Sequence, residues 1–318
     1  MKKNRVFNNI LETSFDTPLV NLSKVAPEGG AKILLKLEYF NPLSSVKDRV
    51  ARAMIEAGEQ NGTIHPDTRI IEATTGSMGI SLAFAAAVKG LKLTLVMPDS
   101  VNKERQNILK AFGVELILTP ASLGMLGSIR KVQEIRSADP NAWIPQQFDN
   151  PANPGIHEAT TGPEIWRASQ GKIDIFLTGV GTGGTFTGVS RYLRRKNPKI
   201  RTIAVEPVDC PVLSGGKPGS HGIQGIGPGF IPRNLDTSLL SGIESATTEE
   251  AYYWARRLAK EEGLLVGIST GANLAVASRL AARRENIGKT IITVAPSSGE
   301  RYLATRLYAK NEDLSIDE

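Results

Sequence analysis

Short apolar strands alternate with helical segments along most of this 318-residue chain, and this alternation restricts its possible folds more than any other feature. In the first half, the apolar helical stretch 80–89 lies between the strand-like segments 69–72 and 93–97. In the second half, the pattern predicts a strand at 174–180 and a helix at 187–196. Such alternation is typical of parallel sheets with helices on both faces, joined by right-handed crossovers. The sequence therefore predicts an α/β protein with two open twisted sheets.

The length of the chain and one turn-rich segment predict two lobes. A chain of 318 residues exceeds the usual size of a single domain. Turn-forming residues are concentrated in the sequence Asp-Asn-Pro-Ala-Asn-Pro-Gly at 149–155. We expect the chain to cross between lobes there. The smaller lobe is predicted to span 47–152, and the larger lobe to contain 1–46 and 153–318.

Charge and cysteine content argue against several classes of function. The formal net charge is +6, but the basic residues are scattered and lack the interleaved aromatic residues of a nucleic-acid surface. No apolar run approaches the ~18 residues of a membrane span, and no apolar region of a secretory signal follows the first five residues. Cys210 is the only cysteine and the three histidines are far apart, so we expect neither a disulfide nor a metal site. These features predict a soluble cytoplasmic protein without nucleic-acid or membrane partners.

The sequence Asn-Pro-Leu-Ser-Ser-Val-Lys-Asp-Arg at 41–49 predicts the end of a strand and the start of a helix. Proline disfavours helix at the residue before it, so the preceding strand should end by Asn41. Ser44 or Ser45 can then cap the first turn of a helix that contains Lys47. The positive end of the helix dipole and burial both disfavour a protonated lysine, which suits an amine used in nucleophilic chemistry. The alternative is a solvated lysine beside two charged neighbours.

A glycine-rich loop, Gly-Val-Gly-Thr-Gly-Gly-Thr at 179–185, follows a strand and opens a helix. Glycines let backbone amides approach an anion, and a helix N-terminus favours negative charge, so the loop predicts a phosphate site. The loop also matches the dinucleotide pattern G-x-G-x-x-G, and Glu206 ends the next strand. A nicotinamide or flavin oxidoreductase is therefore a competing interpretation, and a tight turn without a ligand is another.

Two further turns between strand and helix carry hydroxyl groups. Their sequences are Thr-Thr-Gly-Ser-Met-Gly at 74–79 and Gly-Ile-Ser-Thr-Gly at 267–271. The first is suited to hold a carboxylate, although each turn taken singly is also consistent with an ordinary helix cap. A dinucleotide enzyme has no evident need for Lys47. A reactive lysine, a phosphate loop, an anion-binding loop and a lone serine together predict an aldehyde cofactor that carries one phosphate.

Seven stretches of the chain resemble the cysteine synthase (O-acetylserine sulfhydrylase) family, in the family's order and over residues 17–303. They are TPLVNL, LEYFNPLSSVKDR, FDNPANPGIHEATTGPEIW, GVGTGGTFTGVSRYL, HGIQGIGPGFIP, GISTGAN and PSSGERYL. This family is one of the fold type II enzymes, which are similar in fold to the tryptophan synthase β chain. The resemblance implies this fold, pyridoxal 5′-phosphate as cofactor, mobility of the smaller lobe and binding of the cofactor phosphate by the larger lobe.

The resemblance also implies roles for individual residues. Lys47 matches the catalytic lysine that forms a Schiff base with the cofactor, and Ser269 matches the serine that faces the pyridine nitrogen. The implied cofactor-binding positions are Lys47, Ser77, Gly181, Thr182, Gly183, Gly184, Thr185 and Ser269. The implied substrate-binding positions are Thr74, Thr75, Gly76, Met78, Gln147 and Gly225.

One loop departs from the family pattern. The usual Thr-Ser-Gly-Asn-Thr-Gly is here Thr-Thr-Gly-Ser-Met-Gly, so Ser77 stands in place of an asparagine and Met78 in place of a threonine. We expect this change to remove one or two hydrogen bonds to the substrate carboxylate, each worth about 0.5–1.5 kcal/mol. A methionine at this position resembles plant β-cyanoalanine synthases, which use cyanide as nucleophile.

The resemblance predicts a transferase or lyase that forms L-cysteine from O-acetyl-L-serine and sulfide. The altered loop leaves open a β-replacement or elimination with another donor or nucleophile, such as cyanide. It also leaves open a catalytically weak regulatory or partner-binding homologue. The expected partners are a small amino-acid substrate, a second copy of the chain in a homodimer, and the C-terminal tail of serine acetyltransferase.

Overall fold

Two compact units make up the computed structural model, which describes residues 6–309. The first unit contains the chain up to Ser14 together with Asn41–Ala152, and the second contains Phe15–Phe40 and the chain from Asn153 onward. Within the described range, no helix is long and apolar enough to cross a membrane. The first five residues, on which the expected lack of a secretory signal depends, lie outside the described residues.

The boundary between the units differs from the predicted one near the N-terminus. Residues up to 14 and residues 41–46 belong to the first unit, whereas the sequence-based division placed them with the larger lobe. Side chains of the first long helix explain the difference. Arg52 donates a hydrogen bond to the carbonyl of Leu11 at 2.9 Å, and Asp48 accepts one from the backbone N–H of Leu43 at 2.7 Å. Both segments are therefore held by that helix.

The strands and helices follow the predicted alternation. The strands are β1 (Leu19–Leu22), β2 (Lys32–Leu37), β3 (Arg69–Ala73), β4 (Lys92–Pro98), β5 (Glu115–Thr119), β6 (Ala142–Trp143), β7 (Ile175–Gly179), β8 (Arg201–Pro207), β9 (Gly242–Ala246) and β10 (Thr290–Ala295). The helices are α1 (Lys47–Gln60), α2 (Ser77–Lys89), α3 (Lys103–Ala111), α4 (Gly124–Ala138), α5 (Ala152–Ile156), α6 (Gly162–Ala168), α7 (Gly184–Lys196), α8 (Thr248–Arg257) and α9 (Ile268–Ala282). A π-helical turn at His157–Thr161 joins α5 to α6.

The sheet of the first unit is parallel, with the strand order β5–β4–β3–β6. Val96 packs with Ile71 and with Val132, so α4 covers that face of the sheet. The neighbouring residue Leu95 points to the opposite face, because side chains alternate along a strand. There Leu95 lies beside Gly79 of α2. Helices thus cover both faces of this sheet.

The sheet of the second unit has the order β1–β2–β10–β7–β8–β9 and is parallel except for the edge strand β1. Ile175 and Leu177 of β7 belong to an apolar cluster that contains Leu274 of α9. Phe176 points the other way and packs with Val189 of α7. The second sheet is therefore also covered on both faces, and the predicted α/β fold class is confirmed.

Two helices begin three residues earlier than the sequence pattern predicts. Helix α2 begins at Ser77 and α7 at Gly184, so residues of the preceding loops form the first turns. The first backbone N–H groups of a helix have no partner within the helix, and here they belong to the loops of interest. The apolar residues at 264–267 predict a short strand, but the structure has none there. Val266 instead forms an isolated antiparallel bridge with Ser298, because Gly267 already caps α9.

Candidate active site

Lys47 is the first residue of α1 in the first unit. Its backbone N–H donates to the hydroxyl oxygen of Ser45 at 3.1 Å, although the N-cap position is Val46, which makes no side-chain cap hydrogen bond. The next residue, Asp48, is fully buried. Its carboxylate accepts hydrogen bonds from the N–H of Leu43 at 2.7 Å and from the hydroxyl of Ser81 at 2.6 Å. The turn that carries Lys47 is therefore fixed on both sides.

The surroundings of Lys47 lower the pKa of its amine. Burial lowers the pKa of Lys47 from its ordinary 10.5 to about 8. Near neutral pH the lysine therefore has a much larger neutral fraction than a solvated lysine, and only the neutral amine is nucleophilic. Asp48 and Arg49 are both 0 % exposed and Lys47 is half-buried, which argues against the alternative of a solvated lysine beside two charged neighbours.

The loop from Thr74 to Ser77 connects β3 to α2. The hydroxyl of Thr74 accepts a hydrogen bond from the N–H of Gly76 at 3.2 Å, and the carbonyl of Thr75 accepts one from the guanidinium of Arg105. Gly76 is exposed, and a Cβ atom built there meets no atom within 4 Å. The amides at the start of α2 thus border open space, which is what a bound carboxylate requires.

The two positions that depart from the family pattern have different environments. Ser77 is half-buried as the first residue of α2, whereas Met78 is only 2 % exposed. The hydrogen bond between Ser81 and Asp48 ties this helix to α1, so the Lys47 turn and the Ser77 turn are held together within the first unit.

Gln147 follows β6, the strand that pairs in parallel with β3. Because the carboxyl ends of parallel neighbours lie at the same edge of a sheet, Gln147 and the Thr74 loop leave the sheet at that edge. Gln147 is 8 % exposed. The residue before it, Gln146, has a left-handed φ of 54°, and its carbonyl accepts from the N–H groups of Asp149 and Asn150. This turn redirects the chain next to the predicted substrate residues.

In the second unit, the loop from Gly181 to Thr185 connects β7 to α7. Gly183 has a φ of 82°, and a Cβ atom there would lie 2.8 Å from the backbone nitrogen of Leu235. A Cβ atom on Gly181 would overlap the carbonyl oxygen of Gly225. Only glycine fits these positions, so the loop turns tightly into the N-terminus of α7, where the first backbone amides have no partner within the helix and suit an anion.

The dinucleotide interpretation of this loop is wrong. It assigns Glu206 to a ribose hydroxyl. In the structure the carboxylate of Glu206 is buried and accepts hydrogen bonds from the N–H groups of Leu213 at 2.7 Å and Ser214 at 3.1 Å. The carboxylate therefore holds the following loop of its own chain.

Ser269 and Gly225 lie next to each other in the second unit. Ser269 is the second residue of α9 and is 4 % exposed. Gly225 has a φ of 100°, and a Cβ atom there would lie 3.8 Å from the Ser269 hydroxyl. His221 shapes this loop, because its Nε2 donates to the Gly227 carbonyl at 2.9 Å and its Nδ1 accepts from the N–H of Ile223 at 3.2 Å.

Two further polar residues contact the 181–185 loop, and the sequence reasoning did not assign them. Asn153 donates from Nδ2 to the hydroxyl of Thr182 at 3.0 Å. Nε2 of His157 lies 3.2 Å from the hydroxyl of Thr185. Both belong to the stretch FDNPANPGIHEATTGPEIW, so their presence in a family motif is the signal that could have found them.

These groups fit a phosphorylated aldehyde cofactor. For the phosphate, the 181–185 loop offers close-approach glycines and two hydroxyls at the N-terminus of a 13-residue helix. Lys47 offers an amine with a lowered pKa for a carbonyl group. Ser269 offers a neutral hydroxyl for a ring nitrogen. Each feature is present in the described residues of its own unit, and the set matches the chemistry that the sequence predicts.

Comparison with known proteins agrees with this fit. The family model for pyridoxal-phosphate dependent enzymes matches residues 10–297. A curated cysteine synthase of Staphylococcus aureus is 49 % identical over 303 residues, which cover 95 % of this chain and 97 % of the relative.

Solved structures are similar over nearly the whole chain. The crystal structure of a cysteine synthase from Entamoeba histolytica has a TM-score of 0.94 and 42 % identity, covering 99 % of this chain and 95 % of that one. An O-ureido-L-serine synthase has a TM-score of 0.91 and 38 % identity, covering 97 % and 98 %. The cofactor implied by these similarities is pyridoxal 5′-phosphate, and the chain belongs to the cysteine synthase family of pyridoxal-phosphate dependent enzymes.

Proposed function

We propose that this protein catalyses a β-replacement that forms L-cysteine from O-acetyl-L-serine and sulfide. The observation that carries the proposal is the lowered pKa of Lys47 at the start of α1, in a chain similar to cysteine synthases over nearly its whole length. When bound, pyridoxal phosphate supplies an electrophilic aldehyde and a ring that accepts electrons from the substrate Cα.

Lys47 is the proposed acid and base of the reaction. A pKa of about 8 means that about half of the free amine is neutral at pH 8, so Nζ can remove the Cα proton and later return it. The hydrogen bonds of Asp48 fix the turn that carries this amine. General acid–base groups contribute roughly 10²–10⁴-fold to rate, and Lys47→Ala should lose at least this factor.

The remaining roles are assigned by the chemistry of each group. Thr74, Thr75, Gly76 and Gln147 are proposed to bind the substrate carboxylate, since they lie at one edge of the parallel sheet of the first unit. The loop from Gly181 to Thr185 is proposed to bind the cofactor phosphate. Ser269 supplies a hydroxyl rather than a carboxylate, so it places no negative charge at the ring nitrogen.

The decisive experiment is an assay of purified protein supplied with pyridoxal phosphate. We expect cysteine from O-acetylserine and sulfide, and we expect Lys47→Ala to lose both turnover and the visible absorbance of the bound cofactor. A panel with O-phosphoserine or cysteine as donor tests the donor assignment. If fully folded protein supplied with pyridoxal phosphate shows no visible absorbance of bound cofactor, the proposal is wrong.

A second candidate is a related β-replacement or elimination with another nucleophile or donor, including cyanide. The observation that favours it is the altered loop, with Ser77 and Met78 at positions where the family has asparagine and threonine. A similar solved structure is named as an O-ureido-L-serine synthase, a different product on the same fold. Cyanide turnover well above sulfide turnover would favour this candidate. A weakly catalytic regulatory homologue would be nearly inactive with every pair, and Ser77→Asn with Met78→Thr would restore activity.

We also propose, on the resemblance to the family, a homodimer in the cytoplasm that binds the C-terminal tail of serine acetyltransferase. Analytical ultracentrifugation tests the dimer, and fractionation of the source cells tests the location. A synthetic peptide of that tail tests the third expectation, because it should compete with O-acetylserine for the enzyme.

A further inference from the structure

Two polar side chains of α5 and the following π-helical turn lie against the start of α7. Asn153 and His157 are four residues apart, as are Gly184 and Gly188 of α7. A Cβ atom on Gly184 would overlap the side chain of Asn153, and one on Gly188 would lie 2.7 Å from Cβ of His157. The missing side chains of the two glycines therefore let both polar groups reach the phosphate loop.

Asn153 sets the direction of the hydrogen bond that Thr182 makes. Nδ2 of Asn153 donates to the Thr182 hydroxyl oxygen at 3.0 Å, and Asn153 is 0 % exposed. An amide NH₂ group is a donor only. The hydroxyl of Thr182 acts as acceptor in this bond, and its own proton remains available for an anion.

His157 makes the matching contact with Thr185. Its ring is 0 % exposed, with Nδ1 2.9 Å from the hydroxyl of Thr161 and Nε2 3.2 Å from that of Thr185. A neutral imidazole carries one proton, so one nitrogen donates and the other accepts. If Nε2 carries the proton, Thr161 donates to Nδ1 and Thr185 keeps its own proton for a ligand. In the other tautomer, the hydroxyl of Thr185 would donate its proton to Nε2. The oxygen of Thr185 would then turn its lone pairs toward the ligand.

We propose that Asn153 and His157 are positioning residues that turn the hydroxyl protons of Thr182 and Thr185 toward the cofactor phosphate, with His157 as the neutral Nε2–H tautomer. This inference rests on the proposed role of the 181–185 loop. The proposal also assigns a function to the π-helical turn at His157–Thr161. This turn is wider than an α-helical turn, and it carries the His157 ring that lies beside both Thr161 and Thr185.

The experiment compares two cofactors that differ only in the phosphate. Dissociation constants of pyridoxal phosphate and of pyridoxal are measured for apo-protein prepared from the holoenzyme. The variants are Asn153→Leu, His157→Asn and His157→Gln. Glutamine can place an N–H near the position of Nε2, whereas asparagine is too short. Ser190→Ala is the matched control, because Ser190 is a buried residue of α7 whose hydroxyl has no hydrogen-bond partner within residues 6–309.

We expect Asn153→Leu and His157→Asn to weaken pyridoxal phosphate binding by about 10–100-fold, as for the loss of a hydrogen bond to a charged group. Pyridoxal binding should change less than about twofold. His157→Gln should recover most of the affinity. Ser190→Ala should bind both cofactors as the wild type does, and ¹⁵N spectra of the wild-type holoenzyme should show the Nε2–H tautomer for His157.

Three results would overturn the inference. Equal losses for pyridoxal and pyridoxal phosphate would mean a general packing role. Unchanged affinity for pyridoxal phosphate would mean no role, and an Nδ1–H tautomer would reverse the direction of the Thr185 bond. Failure of the wild-type protein to bind pyridoxal phosphate is a separate outcome, because it removes the proposed function itself and this inference with it.

Discussion

The carboxylate of Asp48 accepts a hydrogen bond from the hydroxyl of Ser81 at 2.6 Å, with both side chains fully buried. This bond joins the first turn of α1 to the second turn of α2. One of those helices carries Lys47 at its first residue and the other carries Ser77 at its first residue. This buried contact therefore links the turn that carries the proposed catalytic amine to the helix that begins at the altered loop.

Removal of this contact should affect both stability and catalysis. Hydrogen bonds to charged groups contribute about 1.5–3 kcal/mol, so Ser81→Ala should lower the free energy of unfolding by about that amount. Displacement of Lys47 should also lower kcat. Urea unfolding and turnover with O-acetylserine and sulfide measure the two effects.

Ser137→Ala is the control for this prediction. Ser137 is an exposed residue of α4 whose hydroxyl donates to the carbonyl of Gln133 in the same helix. Loss of an exposed bond of this kind should change stability by less than about 0.5 kcal/mol. Equal behaviour of the two serine variants would contradict the role of the Asp48 contact.

The lowered pKa of Lys47 predicts how its reactivity depends on pH. Only the neutral amine attacks an aldehyde, so the rate at which apo-protein reacts with pyridoxal should rise about tenfold per pH unit below about pH 8 and level off above it. Trapping with borohydride, followed by peptide mapping, gives the rate at Lys47 itself.

An exposed lysine of the same protein supplies the comparison. Lys103 begins α3 and is exposed, so it lacks the burial that lowers the pKa of Lys47. A pH profile at Lys47 that matches the one at Lys103 would show that burial does not tune the proposed catalytic lysine.

Local sequence features predicted the parts of the site that depend on neighbours in the chain. The strand, the loop and the first turn of a helix lie within about ten residues, so the positions of Lys47 and of the 181–185 loop followed from turn chemistry and helix capping. The alternation of strands and helices likewise predicted both parallel sheets. These signals are local, and the structure confirms the two sheets and the strand-loop-helix position of each segment.

Contacts between distant segments were beyond the reach of such patterns. Asn153 and His157 each lie about 30 residues before the hydroxyls of the 181–185 loop that they contact. Glu206 matched a dinucleotide pattern, but its carboxylate accepts hydrogen bonds from the backbone amides of Leu213 and Ser214. The pattern does not predict where that loop runs. Helix α4 was missed because its apolar spacing is weak: Gly127, Ser128 and Val132 are its buried residues.

Glu72 should make stability depend on pH. It lies on β3, is 8 % exposed, and its Oε2 has no hydrogen-bond partner in the described part of the chain. Burial raises the pKa of Glu72 from 4.5 to about 8. The folded protein therefore keeps this proton up to about pH 8, whereas the unfolded chain loses it near pH 4.5. Between these values the unfolded state binds fewer protons, so the free energy of unfolding falls as pH rises.

Comparison with Glu72→Gln isolates this effect, because glutamine keeps the shape and does not titrate. The difference in unfolding free energy between wild type and variant should change by up to about 1.4 kcal/mol per pH unit between pH 5 and 8, and stay constant above about pH 9. Urea unfolding at several pH values measures it. Parallel stability curves would mean that Glu72 is not buried as a neutral acid.

Gly183, in the proposed phosphate loop at 181–185, should be required for cofactor binding. Gly183 has a φ of 82°, and a Cβ atom there would lie 2.8 Å from the backbone nitrogen of Leu235. Alanine is strained at such a φ and would push the loop away, at a cost of about 1–3 kcal/mol. Gly183→Ala should therefore raise the dissociation constant for pyridoxal phosphate by at least about tenfold and lower thermal stability.

Gly242→Ala is the matched control, since a Cβ atom at the start of β9 meets no atom within 4 Å. It should bind pyridoxal phosphate as the wild type does and change stability by less than about 0.5 kcal/mol. Fluorescence titration of both apo-proteins, with melting curves alongside, measures the two effects. Wild-type affinity of Gly183→Ala for pyridoxal phosphate would contradict the prediction. It would mean that the phosphate group of the cofactor binds elsewhere, because the amides of a displaced loop cannot hold it.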